Sequence, residues 1–206
     1  MTMYPVQHMN RLTRAYTAQD ADTRLRATLA AGTAPLPDDL PALITQCCVE
    51  PDFFVRDMLT WALTRHPVEA TLPLLLTELN SPVPQAVAQA LHTLSKIGDA
   101  RAFPHITDAH LTSTDDEVAR TAWRTAAGLA APADRIALAI RMTPQLGRGD
   151  REMQRSLSRA FLQLGESARP ALEEHDSGHD SGHARTTLLM LDDPDLGFDA
   201  AEYEAH

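Results

Sequence analysis

The chain has 206 residues, of which 28 are acidic and 18 are basic, so its formal net charge at neutral pH is −10. The hydrophobic fraction of 44% is sufficient for a folded core and excludes general disorder, and no segment reaches the roughly 20 consecutive apolar residues of a membrane span. Such a charge repels the phosphate backbone unless basic residues cluster, which makes nucleic acid an unfavoured partner.

The N-terminal residues and the cysteines both favour a cytoplasmic location. No basic region followed by an apolar stretch is found at the start, so we expect no signal peptide. Cys47 and Cys48 are adjacent. Neighbouring cysteines rarely bridge each other, and no second pair completes a thiolate metal site, so we expect two buried thiols in a reducing compartment.

Two kinds of short segment alternate along the chain with a period near 32 residues. The first kind follows the rule Pro or Ile, any residue, Leu or Ile, and it begins at Pro41, Pro73, Pro104, Ile136 and Pro170. The second kind begins at Val55, Val87, Val118 and Gln154. Because two independent markers share one period, the chain is predicted to be a repeat protein.

Both kinds of segment have the spacing of amphipathic helices, as in Val87, Leu91 and Leu94. The chain therefore alternates between two predicted helix types, which we call first and second helices. First helices are predicted at 37–48, 68–79, 101–112, 133–143 and 167–174. Second helices are predicted at 20–31, 53–65, 83–97, 116–129, 151–164 and 183–191, and a weaker helix at 6–17.

The helix ends carry their own signals. Ser81 and the pair Asp115 and Asp116 are predicted to supply N-cap oxygens. Gly98, Gly128 and Gly165 are predicted to end helices. The prolines of the first segment type are predicted to lie in the first turn, where a missing N–H costs little.

Two segments resemble a known repeat family. Residues 95–104, Ser-Lys-Ile-Gly-Asp-Ala-Arg-Ala-Phe-Pro, resemble the junction between HEAT repeats of the phycobilisome-lyase-like type. Asp52-Phe-Phe-Val-Arg56 resembles the start of the second helix in that family. The resemblance implies an all-α fold, a right-handed α-solenoid (α-α superhelix) of about five to six HEAT-like helical pairs. The excess of arginine over lysine is typical of a bacterial genome rich in GC.

The repeats divide the chain into three parts. Residues 1–19 are predicted to form an N-terminal segment or cap helix, and residues 20–192 the repeat array. Residues 193–206 form an acidic C-terminal tail, which is either solvated or docked back through Phe198 and Tyr203.

In HEAT repeats the second helix usually lines the concave face, which usually binds a partner. Aligning the units by their valine positions places one set of residues on that face: Asp57, Trp61, His92, Trp123, Arg124 and Arg159. Trp and Arg are frequent anchors of binding surfaces. The alternative is that Trp61 and Trp123 pack between neighbouring helices.

Two other groups of residues are candidates for a specific role. Arginines recur near the starts of second helices with an acid before them, which resembles a ladder that stacks HEAT units; they are Arg24, Arg56, Arg120, Arg155 and Arg185. His175, His179 and His183 lie four residues apart in a repeated His-Asp-Ser-Gly sequence and are weak candidates for metal ligands. Gly178 and Gly182 favour a polar loop instead.

The repeat and the absence of an assembled catalytic motif lead to one functional hypothesis. The chain is expected to be a non-enzymatic scaffold or adaptor that binds a protein partner along the second helices, without a cofactor. One alternative is an enzyme acting on nucleic acid, of the DNA-alkylation-repair glycosylase type, with Trp61, Asp57 and Trp123 in its groove. The other alternative is a metal-dependent activity at the histidine segment.

Overall fold

The computed structural model describes residues 11–176, 182–193 and 195–205. This part of the chain contains α-helices and short 3-10 helices and no strand. Its α-helices are α1 (Arg11–Tyr16), α2 (Ala21–Thr33), α3 (Leu40–Val49), α4 (Phe53–Thr64), α5 (Val68–Glu78), α6 (Pro84–Ile97), α7 (Asp108–Leu111), α8 (Asp116–Leu129), α9 (Arg135–Met142), α10 (Arg151–Leu164), α11 (Arg169–Asp176), α12 (Gly182–Asp192) and α13 (Phe198–Ala205). The all-α fold class predicted from the repeat is confirmed.

The described residues form two compact units, one ending at Ile97 and the other beginning at Gly98. In the first unit the second helices α2, α4 and α6 pack successively against one another. In the second unit α8, α10 and α12 do the same. Each second helix therefore shares its apolar stripe with its neighbour within a unit, as stacked helical pairs require.

Aspartate caps explain where several second helices begin. Asp52, Asp115 and Asp150 each accept a hydrogen bond from the backbone N–H three residues further on. Asp20 likewise caps α2 through the N–H groups of Asp22 and Thr23. Each carboxylate satisfies an N–H group that has no partner inside the helix. Gly98 and Gly165 follow helices with φ near +72° and +63°, as predicted for helix ends, whereas Gly128 lies inside α8.

The first helices depart more from expectation. Residues 101–112 do not form one helix, because a 3-10 segment over Ala100–His105 is followed by extended backbone at Ile106 and by the short helix α7. The backbone N–H of Thr107 donates to the ring Nδ1 of His110, which starts a new helix at that point. Pro73 lies inside α5 rather than in its first turn.

The core of each unit consists of aliphatic side chains supplied by both helix types. In the first unit Leu43, Leu59 and Leu91 are completely buried. In the second unit Leu138, Leu157 and Phe161 are among the largest buried side chains. Only a few aromatic residues take part, as the 5% aromatic content implies.

The C-terminal residues form a docked helix rather than a solvated tail over the described range. Phe198, at the start of α13, is buried against Met190 of α12 and lies edge-on to the ring of His183. Asp199 and Glu202 of α13 form ion pairs with Arg155 and Arg151 of α10. Tyr203 points to solvent and does not contribute to this docking.

The arginines near the starts of second helices do not form one regular ladder. Arg24 makes a buried, bidentate ion pair with Glu50, which precedes the next second helix. Arg56 donates instead to the backbone oxygens of Glu50 and Pro51. Arg120 pairs with Glu117 inside its own helix. The predicted stacking role therefore holds for Arg24 and not for Arg56 or Arg120.

Candidate binding surface

The predicted site residues are divided between the two units. Asp57 and Trp61 on α4 and His92 on α6 belong to the first unit, while Trp123, Arg124 and Arg159 belong to the second. We therefore describe the two groups separately.

In the first unit the tryptophan has mainly a packing role. Trp61 is half-buried and lies against Gly32 at the end of α2, so closely that a Cβ added to Gly32 would clash with the ring carbon Cζ3. Asp57 is exposed and His92 is half-buried. Trp61 therefore packs mainly between neighbouring helices, which was the alternative prediction for this residue.

Trp123 is completely buried, which corrects the prediction that it contacts a partner. Its indole Nε1 donates to the backbone oxygen of Leu111 at 2.8 Å, and the guanidinium of Arg148 lies over its ring at 6.0 Å. A buried indole with its single donor satisfied is a core residue. It also has no free face on which a nucleic-acid base could stack, which removes one of the residues needed by the glycosylase alternative.

The alignment of α8 with α10 differs by one residue from the alignment based on Gln154. The caps Asp115 and Asp150 are 35 residues apart, and the buried positions of the two helices follow the same spacing. Met153, not Gln154, therefore takes the place of the repeat valine. The equivalent positions are Val118 and Met153, Arg120 and Arg155, Trp123 and Ser158, and Arg124 and Arg159.

In the alignment of the helix caps, Arg124 of α8 and Arg159 of α10 are equivalent, and the structure places both beside one cavity. A cavity of about 290 Å³ lies between α8 and α10, and Arg120, Arg124 and Arg159 line it, with Glu117 as an acidic group in the wall. We call it the arginine groove. Arg124 and Arg159 are exposed. Three guanidinium groups against one carboxylate leave the groove positive although the whole chain carries a charge of −10.

Arg159 also borders a second depression, of about 330 Å³, between α10 and the start of α13. Arg155, Met190 and Phe198 contribute to its wall. No carboxylate in the described residues pairs with Arg159, unlike Arg151 and Arg155 on the same helix. Its charge thus remains available to a ligand that reaches either side of α10.

The sequence predicted Arg124 and Arg159 as partner contacts, whereas Arg120 and Arg155 were predicted to belong to the stacking ladder. The signal for a shared surface was present, because Arg120 and Arg124 are four residues apart on α8, as are Arg155 and Arg159 on α10. Residues four apart lie on one face of a helix. A separate feature, the exposed aromatic pair Phe53 and Phe54 at the start of α4, was also not anticipated.

Of the three candidate metal ligands, His183 lies in the core of the second unit. His183 is buried, its Nδ1 accepts from the backbone N–H of Gly147, and its Nε2 lies 3.0 Å from the backbone oxygen of Gln154. Both ring nitrogens are therefore occupied, which corrects the assignment of His183 as a ligand. His179 lies outside the described residues, and the described residues contain no group of three His, Cys, Asp or Glu side chains that could hold a metal ion.

The hydroxyl of Ser158 lies 2.9 Å from Nε2 of His183, a distance that a nucleophile and its general base would also show. Because Nδ1 accepts a hydrogen bond, the proton of the neutral ring is on Nε2, which therefore donates. Burial lowers the pKa of His183 to about 4, so the ring is neutral at pH 7. With its proton on Nε2, the histidine cannot accept the proton of Ser158, and the pair is structural.

The prediction of two buried thiols holds for Cys47 and only in part for Cys48. Both are free, Cys47 being buried and Cys48 half-buried. Burial raises the pKa of Cys47 far above its ordinary value, and burial together with the nearby Glu78 raises that of Cys48 to about 11. Neither is a thiolate at neutral pH, so neither is poised for redox or nucleophilic chemistry.

The comparisons with known proteins agree with the helical pairs. Residues 45–128 match the family model of HEAT repeats. No curated protein matches the chain. A crystal structure of an engineered protein, from the Northeast Structural Genomics Consortium, is similar over 94% of this chain and 93% of that one, with a TM-score of 0.50 and 20% sequence identity. None of the helices in the described residues is long and apolar enough to cross a membrane. The chain thus contains HEAT-like repeats and has an all-α fold of the solenoid class.

Proposed function

We propose that the protein is a non-enzymatic scaffold that binds a partner protein through the faces of its second helices. The arginine groove between α8 and α10 is the observation that carries this proposal. Stacked helical pairs provide extended surfaces on which a protein segment can lie. Arginine is also among the residues that most often dominate the binding energy of an interface.

The predicted contact residues differ in importance for this proposal. Arg124 and Arg159 are its principal contacts, while Asp57, His92 and the exposed part of Trp61 belong to the corresponding face of the first unit. The repeat array comprises residues 20–192, of the phycobilisome-lyase-like HEAT type. The two free thiols favour a cytoplasmic location.

Site-specific photocrosslinking in cells tests the proposal and requires no candidate partner. A photoreactive phenylalanine analogue replaces Gln163, an exposed residue in the wall of the arginine groove. The matched control places the same residue at Ala137, which is exposed on the first helix α9 of the same unit.

We expect a discrete covalent adduct with one protein from position 163 and none from position 137. Adducts of equal yield at both positions, or none at either, would refute the assignment of the binding face. Mass spectrometry of the adduct identifies the partner.

A further inference from the structure

The arginine groove continues a row of arginines along α10. Arg151, Arg155 and Arg159 are four residues apart and so lie along one side of the helix; we call them the arginine stripe. Arg124 on α8 extends this row across the groove, since it occupies the position equivalent to Arg159. The stripe and the groove thus adjoin each other within the second unit, and guanidinium groups line both.

Two members of the stripe already hold an acidic helix of this chain. Asp199 on α13 pairs with Arg155 at 2.6 Å, and Glu202, one turn later, pairs with Arg151. Phe198 anchors the same helix below the guanidinium of Arg155, at 5.8 Å. The molecule itself therefore shows which chemistry this surface accepts, namely carboxylates about one helical turn apart beside an apolar anchor.

The third member of the stripe is left without such a partner. No carboxylate in the described part of the chain reaches Arg159, although the groove beside it is open and about 290 Å³ in size. Glu117 in the wall is satisfied by Arg120 at 2.6 Å, in an exposed pair that an incoming carboxylate can displace at little cost.

On the basis of the proposed function, we propose that the arginine groove binds an acidic helical segment of the partner protein. Its carboxylates pair with Arg124 and Arg159 as those of α13 pair with Arg155 and Arg151. Carboxylates bound to guanidinium groups make the stronger class of hydrogen bond in proteins. The net charge of −10 disfavours a polyanion as long as nucleic acid, whereas a short acidic segment meets only the local positive charge.

The probe for this inference is a fluorescein-labelled peptide made of two copies of the α13 sequence, Phe-Asp-Ala-Ala-Glu-Tyr-Glu-Ala. Fluorescence anisotropy measures its binding to the full chain at about 0.1 M salt, where charges closer than about 10 Å still interact. An amide version of the peptide, with Asn for Asp and Gln for Glu, controls for apolar contacts.

The test variant is Arg124→Gln/Arg159→Gln, and Arg26→Gln/Arg65→Gln is the matched control. The control removes the same charge from two exposed arginines of the first unit. We expect the test variant to bind the acidic peptide at least about tenfold more weakly, with the control within about twofold of the wild type, because the test variant loses two charge-assisted hydrogen-bond donors. Circular dichroism verifies that both variants fold.

Three results would overturn the inference. The test variant could bind the acidic peptide as tightly as the wild type, or the amide peptide could bind equally well. A 16-nucleotide oligothymidylate could also bind more tightly than the peptide, which would indicate nucleic acid as the ligand. A discrete crosslink at position 163 combined with any of these results leaves the scaffold proposal intact and rejects only the acidic partner.

Discussion

Replacing Glu50 with Gln tests the account of the buried ion pair in the first unit. The Glu50 carboxylate is completely buried and accepts hydrogen bonds from Nε and Nη2 of Arg24 at 2.8 and 2.7 Å. The side chain of Gln46 and the backbone N–H of Asp52 also donate to it, at 2.6 and 3.0 Å. Burial raises the pKa of Glu50, but these hydrogen bonds outweigh it and lower the pKa below its usual range.

The structure sets the size of the expected effect. Glu50→Gln leaves the charge of Arg24 buried without a counter-charge, and such losses cost about 3–5 kcal/mol. Arg24 keeps its two hydrogen bonds from Nη1 to the backbone oxygens of Ala18 and Gln19, so we expect the lower end, about 3 kcal/mol. That is a large part of the roughly 5–15 kcal/mol that stabilises a typical protein.

Urea unfolding followed by circular dichroism measures this loss. Glu117→Gln is the matched control, since it makes the same exchange of a carboxylate oxygen for NH2 and removes the same charge from an exposed pair with Arg120, where a cost of at most about 1 kcal/mol is expected. A denaturant slope of about 2 kcal/mol per molar converts a loss of 3 kcal/mol into a midpoint shift near 1.5 M. If Glu50→Gln costs no more than Glu117→Gln, the burial argument is wrong.

Two further predictions concern histidine and glycine. The pKa of His183 is lowered to about 4 in the folded protein, so as pH falls this histidine is protonated in the unfolded chain before it is protonated in the folded one. The free energy of unfolding therefore keeps its full value above pH 6.5 and decreases by up to about 3 kcal/mol towards pH 4. His183→Asn keeps an acceptor for Gly147 and should flatten this part of the pH profile of the melting temperature; an unchanged profile would contradict the assignment. Gly32→Ala places a methyl group against the ring of Trp61 and should cost about 1–3 kcal/mol in urea unfolding, falling below about 1 kcal/mol in a Trp61→Leu background. Equal costs in both backgrounds would show that the two side chains do not compete for space.

The second helices were the most predictable part of the fold. Their apolar stripes and aspartate caps are local signals, and α8 and α10 begin and end at the predicted residues. The first helix predicted over 101–112 was not, because His110 caps Thr107 through a side chain that carries no strong helix-start signal in sequence. Local patterns therefore locate helices better than they locate interruptions.

The candidate site was less predictable because it depends on how the repeats align with one another and on how deeply each side chain is buried. Periodicity separates inner from outer positions but does not show how far a large side chain is covered by its neighbours. Trp123 is enclosed by a loop residue, Arg148, which also pairs with Asp116 from 32 residues away. The alignment of Val118 with Gln154 makes Arg159 equivalent to Trp123. The alignment of the helix caps is shifted by one residue and makes Arg159 equivalent to Arg124.

The aspartate caps also bear on how the chain folds. In the described residues four second helices begin at an aspartate of their own, so each has a start signal that needs no distant partner. Even the buried pair Arg24 and Glu50 joins residues only 26 apart. Local contacts of this kind favour faster folding than the distant strand pairings of β proteins do. Folding can then start at whichever helical pair is locally most stable. A single cap substitution, such as Asp150→Ala, is therefore expected to change the order in which the helical pairs fold.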